Sequence, residues 1–447
     1  MDITKKLSEL VYSSHPLKDK RALEMAKLGV IDYLASSFAA RDDKGVQKLL
    51  KLIEEEGGYH NVPIIGQNKK ANFLQSALIN GFLGHALDYD DVHSDVRGHP
   101  STVILPALLS LSSCEDVSGE RFLSAYVIGV EVMARLGQAI GSNHYIKGWH
   151  NTATLGTIAA SIACGYLKNV SVETLQKVIG FAATQTGGMR AQFGTETKPL
   201  HAGFAARNAL QALKLAEIDF GGTQNALDGN SGFFALYGED PAPSSLFFSH
   251  WGEEWKIYSP GLWFKIYPFC SAAHHAADAA VKLSHKNEFR VEDVTSVKIS
   301  FPKGGDAALV EQNPQTGEQG RFSVEYVVAL ALHKKALGLE SFKNKPIDSS
   351  IKAFLPRIER VYRGDVVPSP TAVPKGRFTI VEVEARGDTF TERVDLPKGA
   401  PGNGLSFEEL HKKLSSALQD EPKTVKIVDE IQQLERSQTM RELLDVL

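Results

Sequence analysis

"SGERFLSAYVIGVEVMARLGQAIG", residues 118–141, decides the fold class. Phe122, Tyr126, Val130 and Met133 recur every three or four positions, the spacing that lines one face of an α-helix. Ser118 stands where a side-chain oxygen can cap the first free amides. The same reading extends outward in both directions. "SVETLQKVIGFAATQ" (171–185) opens on Ser171 as a cap, and "LHAGFAARNALQALKLAEID" (200–219) is alanine-rich with apolar residues at i, i+3 and i+4. Small residues such as Gly84, Gly156, Ala160, Gly203 and Ala206 let helix axes approach closely, so residues 1 to 260 read as helix packed on helix.

The pattern changes after residue 264. "VTSVKISFP" (294–302) alternates as a half-buried strand does, and "GRFTIVEVEARGDTFTERVDL" (376–396) reads as two strands joined near Gly387-Asp388. Between them, "FSVEYVVALALHKKAL" (322–337) predicts an apolar helix. "LPKGAPGNGL" is a Pro/Gly linker, after which Ser406 and Glu409 stand at capping-box spacing and helices resume. The expected class is mainly α: a large all-helical domain built from both chain ends (residues 1–263 and 399–447) plus a smaller α+β domain (264–398).

Composition narrows the function. A chain of 447 residues is long for a single core, so two domains are expected. The net charge of −4, with cations scattered along the chain, predicts no nucleic-acid surface. The N-terminal stretch lacks the apolar centre of a secretory signal, and no apolar run approaches the roughly 20 residues of a membrane span. Cys114, Cys164 and Cys270 are far apart and form no CxxC pair. A cytoplasmic location without membrane attachment is the expectation.

"GHALDYDDVHSDVRGHPS" (84–101) gathers His85, His93 and His99 with Asp88, Asp90, Asp91 and Asp95. These residue types suit a divalent metal, proton transfer or a solvated loop, and the stretch alone leaves all three open. On a helix Asp88 and Asp91 would share a face while Asp90 points elsewhere. The metalloprotease pattern HExxH is absent. "GWHNTATLGTIAAS" (148–161) sets His150 before a helix start, and "FGTETKPLHAGFAAR" (193–207) does the same for Lys198. In "LWFKIYPFCSAAHHAADAA" (262–280), Lys265 lies among aromatics, and Cys270 and His274 are expected one turn apart on the helix that follows.

Together, "HALDYDDVH…GHPS", "GWHNTATLG", "TKPLHAGFAAR" and "KIYPFCSAAHHAADA" resemble the MmgE/PrpD family, which includes 2-methylcitrate dehydratase, cis-aconitate decarboxylase and iminodisuccinate epimerase. "FSVEYVVALAL" and "GAPGNGLSFEEL" follow in the family's order, so the resemblance covers nearly the whole chain. It implies that the α+β part is a lid, that the protein is a homodimer, and that the active site holds no cofactor and no metal. Carried over by motif, His99, Asp88 and His150 are the expected catalytic residues. Lys198, Lys265, His274 and Tyr326 are expected to bind a small polycarboxylate. His99 would donate or accept the proton, since imidazole titrates near neutral pH, with Asp88 orienting it.

A cofactor-independent lyase, dehydratase or decarboxylase, is the leading expectation. An epimerase of a succinyl-type amino-dicarboxylate is the alternative. A metal-dependent hydrolase on Asp90, Asp91, His93 and His99, or a relative that only binds a carboxylate, stands further off. Val92 departs from the family, where many members have Thr, and this puts a hydroxyl contact to substrate in doubt.

Overall fold

Ser118 accepts the amide N–H of Arg121 and starts the helix Gly119–Ile140, whose apolar face is sealed by Phe122, Tyr126, Val130 and Met133, all with no exposed surface. The computed structural model that shows this describes residues 2–59, 61–238, 245–286 and 289–447. Backbone proximity divides the chain into two compact units, Met1–Leu262 with Ser406–Leu447, and Trp263–Leu405.

The first unit is mainly helical rather than all-helical as expected, since Val62–Pro63 pairs antiparallel with Lys70–Ala71. Its main elements are α1 (Lys20–Ala39), α2 (Phe73–His85), α3 (Ser101–Ser112), α4 (Gly119–Ile140), α5 (Asn151–Lys168), α6 (Val172–Ala183) and α7 (Thr197–Glu217). Ser171 caps α6 through the amide of Thr174, as its sequence predicts. The α2–α7 crossing matters most for function. A Cβ on Gly203 would lie 2.2 Å from the Leu78 carbonyl oxygen, and one on Gly81 would lie 2.8 Å from Gly203 Cα. Backbone therefore touches backbone, and the last turn of α2, ending at His85, sits beside the first two turns of α7, which carry Lys198 and His201.

α4 corrects one expectation. It is long and apolar enough to cross a bilayer by length and composition, but 89% of that window is buried inside the protein. Its two buried charges explain how it stays there: Arg135 Nε donates to Glu131 Oε1 at 2.5 Å, and the Arg135 guanidinium also reaches the Phe247 carbonyl. Paired charges are tolerated in a protein core in a way that lone ones are not.

The second unit carries α8 (His274–Lys286), α9 (Val324–Leu332) and four strands: β1 (Val294–Phe301), β2 (Ile358–Tyr362), β3 (Thr379–Ala385) and β4 (Asp388–Val394), in the order β2-β1-β3-β4. β1 pairs parallel with β2 and antiparallel with β3. β3 and β4 form the expected hairpin; Arg386 and Gly387 at its tip both have positive φ (57° and 86°), the twist a two-residue turn requires. Val297, Ile299, Val381 and Val383 point into a core shared with Ala276, Ala280, Val327 and Val328 of α8 and α9. α9 is shorter than its apolar run because Lys334 turns into the left-handed region just beyond it.

The chain then returns to the first unit with α10 (Phe407–Leu418), opened by the predicted Ser406–Glu409 capping box. Lys413 of α10 donates to Asp32 Oδ1 on α1 and to the Tyr89 carbonyl, both at 2.7 Å. Its ammonium also lies 3.7 Å from the centre of the Tyr89 ring. The returning segment thus clamps the aspartate-rich stretch from outside.

Candidate active site

The stretch after α2 is not helical. Asp88 adopts a left-handed conformation (φ 52°) just beyond the helix end at His85, which turns the chain, so Asp88 and Asp91 do not share a helix face as expected. Its acids separate into two groups. Asp91 accepts both the amide and the hydroxyl of Ser101, and that hydroxyl also meets the Tyr126 phenol. Burial, with Asp32 nearby, pushes the Asp91 carboxyl well above the usual carboxylate range. His93 is spent on structure as well: its Nε2 meets the Lys256 carbonyl at 2.9 Å and its Nδ1 accepts the amide of Asp95 at 3.2 Å. The expected hydrolase set of Asp90, Asp91, His93 and His99 is therefore not assembled.

Asp88, Asp90 and His99 converge instead, joined by His85 from the last turn of α2. Lys198 Nζ lies 3.1 Å from Asp88 Oδ1, and His99 Nε2 lies 3.7 Å from the same oxygen. The other nitrogen of His99, Nδ1, lies 3.2 Å from Asp90 Oδ2. Asp90 also takes His85 Nδ1, at 2.9 and 3.1 Å from its two oxygens. One carboxylate thus faces two imidazoles. The His99 backbone amide donates to Thr152 Oγ1 at 3.2 Å, which anchors the residue to α5.

Electrostatics fix the protonation states of the inner groups. Burial pushes His85 down to about 3 against the pull of Asp90, so His85 is neutral and donates its Nδ1–H. Burial opposes ionisation of Asp90, but the imidazoles of His85 and His99 overcome it and hold the carboxyl well below its usual range. His85 Nε2 is buried and has no hydrogen-bond partner among the described residues.

His150 precedes α5 without capping it, and its backbone amide donates to the Gly188 carbonyl at 3.1 Å. Its ring stacks on His85 with centroids 5.9 Å apart and meets Phe193 edge-on at 5.0 Å. Burial first, then His85 and Lys198, keep it well below the ordinary imidazole range. Its Nδ1 lies 3.1 Å from Nδ1 of His201.

The structure therefore brings four of the expected residues together in the first unit: Asp88, His99, His150 and Lys198. Neither His85 nor His201 was assigned a role from the motifs that contain them. The usable signal for His201 was its i+3 spacing from Lys198 at the start of one helix.

Lys265, His274 and Tyr326 belong to the second unit. Lys265 and His274 have no exposed surface there. The His274 ring packs edge-on against Trp263, Tyr267 and Phe269, and its Nε2 lies 3.2 Å from the Phe269 carbonyl. Tyr326 donates to the Ser341 carbonyl at 2.7 Å, and burial raises its phenol to about 12. Cys270 does not share a helix with His274: its amide bonds the Arg321 carbonyl, and a short 3-10 turn, Ser271–Ala273, separates it from α8.

Among the described residues, His85, Asp88, Asp90 and His99 offer one donor atom each, all within 4.8 Å of one another, a donor set that suits a divalent cation. The same group already holds a cation, the Lys198 ammonium on Asp88, so a metal there would compete with a built-in positive charge.

A family model described as the MmgE/PrpD N-terminal domain matches residues 2–245, and one described as the MmgE/PrpD C-terminal domain matches residues 267–436. Similar proteins include a cis-aconitate decarboxylase-like protein of Aspergillus oryzae, 27% identical over 95% of this chain and 92% of its own length. Cis-aconitate decarboxylase of Aspergillus terreus is 26% identical over 95% of this chain and 91% of its own. That of Mus musculus is 28% identical over 76% and 70%.

Proposed function

We propose, from the premise that this chain belongs to the MmgE/PrpD family, that it is a cofactor-independent lyase acting on a small di- or tricarboxylate. The reaction type is decarboxylation, as the names of its relatives suggest, or dehydration, as the family resemblance implies. The observation that carries the reading is the convergence of the Lys198 ammonium and the His99 imidazole on one oxygen of Asp88, with all three largely shielded from water.

The chemistry asks for this combination. Breaking a C–H or C–C bond beside a carboxylate leaves an electron pair that spreads onto carboxylate oxygens already carrying charge. Lys198 neutralises that charge in a site where screening by water is weak. In a decarboxylation, CO2 departs and His99 supplies the proton that replaces it on carbon. In a dehydration, His99 takes the proton from carbon and passes it to the departing hydroxyl, which leaves as water. Asp88 orients Lys198 and His99, and Asp90 fixes the His99 ring from its other nitrogen. Lys265, His274 and Tyr326 enter as further substrate contacts on the strength of their motifs, and a homodimer enters on the family resemblance.

An epimerase is the second reading, favoured by one observation: two separate imidazoles, His99 and His150, flank His85, and epimerisation needs one proton carrier on each side of the substrate.

Proton NMR of the EDTA-treated enzyme in D2O tests both. The panel is citrate, 2-methylcitrate, cis-aconitate, malate and N- and S-succinyl amino acids. A new or lost alkene signal supports the lyase, and exchange of a C–H beside a carboxylate with inversion alone supports the epimerase. Activity that appears only on adding a divalent metal contradicts both.

A further inference from the structure

His150 and His201 face each other through like atoms, Nδ1 to Nδ1, at 3.1 Å. Two lone pairs at that distance repel, and so do two N–H groups, so one ring donates and the other accepts. Neither ring is an imidazolium at neutral pH. Burial pushes His201 down to about 4 with Lys198 adding to the shift, and His150 lies well below its ordinary range. The groups bearing on the pair are Lys198, His85 and His99, whose positive or potential positive charge further disfavours a second proton.

The contact is built rather than incidental. Gly188, whose carbonyl takes the His150 amide, lies against the His201 ring with φ +111°, a conformation that glycine alone adopts readily. A Cβ there would meet Ala153 Cβ at 2.8 Å and His201 Nδ1 at 3.5 Å. Lys198, one helical turn before His201 on α7, ties the same segment to Asp88.

Two arrangements satisfy the pair, and they differ in what His150 presents at Nε2. If His150 donated, its Nε2 would carry a lone pair, which repels a carboxylate. If it accepts, Nε2 carries a hydrogen, which a carboxylate or an enolate oxygen takes up. A polyanionic substrate selects the second. We propose that His201 is a positioning residue that donates its Nδ1–H to His150 Nδ1 and so keeps the His150 proton on Nε2, facing the substrate. This rests on the reading of the site as a polycarboxylate-binding one. His201 then keeps a lone pair at its own Nε2, and its slight exposure (6%, against 2% for His150) lets water satisfy it.

The test compares two nearly isosteric variants. In His201→Asn the side-chain amide can donate from the place of Nδ1–H; in His201→Asp a carboxylate there can only accept, which forces the His150 proton onto Nδ1. Long-range proton–nitrogen NMR on histidine-labelled enzyme, with the His150 signals assigned through His150→Gln, reads the tautomer without any substrate. The expected result is a proton on Nε2 of His150 in the wild type and in His201→Asn, and on Nδ1 in His201→Asp. In parallel, kcat on cis-aconitate should fall at least about tenfold in His201→Asp, while His201→Asn keeps most of it. A wild-type His150 protonated on Nδ1, or equal kcat in the two variants, overturns the proposal. If the wild type turns over no polycarboxylate, the functional reading fails, and the tautomer measurement still decides the role of His201.

Discussion

Lys198 Nζ stands 3.1 Å from Asp88 Oδ1, and both side chains are buried. The two residues are 110 positions apart, one on a turn after α2 and the other in the first turn of α7. Their meeting depends on the close α2–α7 crossing. A buried ion pair is costly to break from one side, because the remaining charge is stranded. Lys198→Met should therefore lower kcat/KM at least about a hundredfold and also lower the unfolding temperature. Adding Asp88→Asn should restore the unfolding temperature without restoring turnover. Recovery of activity in the double variant would mean that the ammonium serves only to neutralise Asp88.

Gly203 tests the crossing itself. Gly203→Ala should cost about 1–3 kcal/mol, since the new Cβ meets the Leu78 carbonyl and the helices must separate. Activity should fall further than stability explains, because the separation moves Lys198 away from Asp88. Chemical denaturation and steady-state kinetics on the same sample read both effects.

Asp90 faces both His85 and His99, so its replacement by Asn leaves one ring opposite an amide N–H2 instead of an acceptor. Asp90→Asn should reduce kcat by roughly ten- to a hundredfold with little change in KM, since Asp90 acts through His99. A change confined to KM would place Asp90 in substrate binding instead.

Acid should unfold this protein earlier than its carboxylates alone would dictate. His85 and His275 are held down to about 3, and His201 to about 4, each chiefly by burial. Their unfolded forms protonate near 6.5, so below that pH the unfolded chain binds more protons than the folded one. The stability these groups contribute is complete above about pH 6.5 and is lost as pH falls toward 3–4, at about 1.4 kcal/mol per pH unit for each group across that window. Asp91 works the other way: its raised carboxyl is lost as a stabilising element as pH rises through its folded value. Urea denaturation between pH 7.5 and 5 should show stability falling as pH falls, and His275→Gln, at a ring whose Nε2 meets the Val373 carbonyl, should flatten the slope.

Helices and caps were legible because they depend on residues near in sequence. Ser118, Ser171 and Ser406 each cap the helix that their position predicted, and Gly387 marks the hairpin turn. The site was legible only in part. Asp88, His99, His150 and Lys198 could be named from motifs, but which acids face the site depends on a turn set by one left-handed residue, Asp88. A helical reading of that stretch separates Asp90 from Asp88, whereas the folded turn brings both to His99. The roles of His85 and His201 were hidden for a similar reason: their partners, Asp90 and His150, are reached through loop geometry and through a contact between residues 51 positions apart. Periodicity reports neither.

The proposed function requires Lys198 and His99 to process a polycarboxylate without a metal. It is tested most directly by incubating EDTA-treated wild-type enzyme and His99→Gln with cis-aconitate and following CO2 release together with the alkene protons. The account predicts CO2 and a new unsaturated dicarboxylate, or hydration of the double bond, from the wild type alone, with at least about a hundredfold less from His99→Gln and no stimulation by added divalent metal. Equal rates from the two proteins, or turnover that returns only with metal, would contradict it.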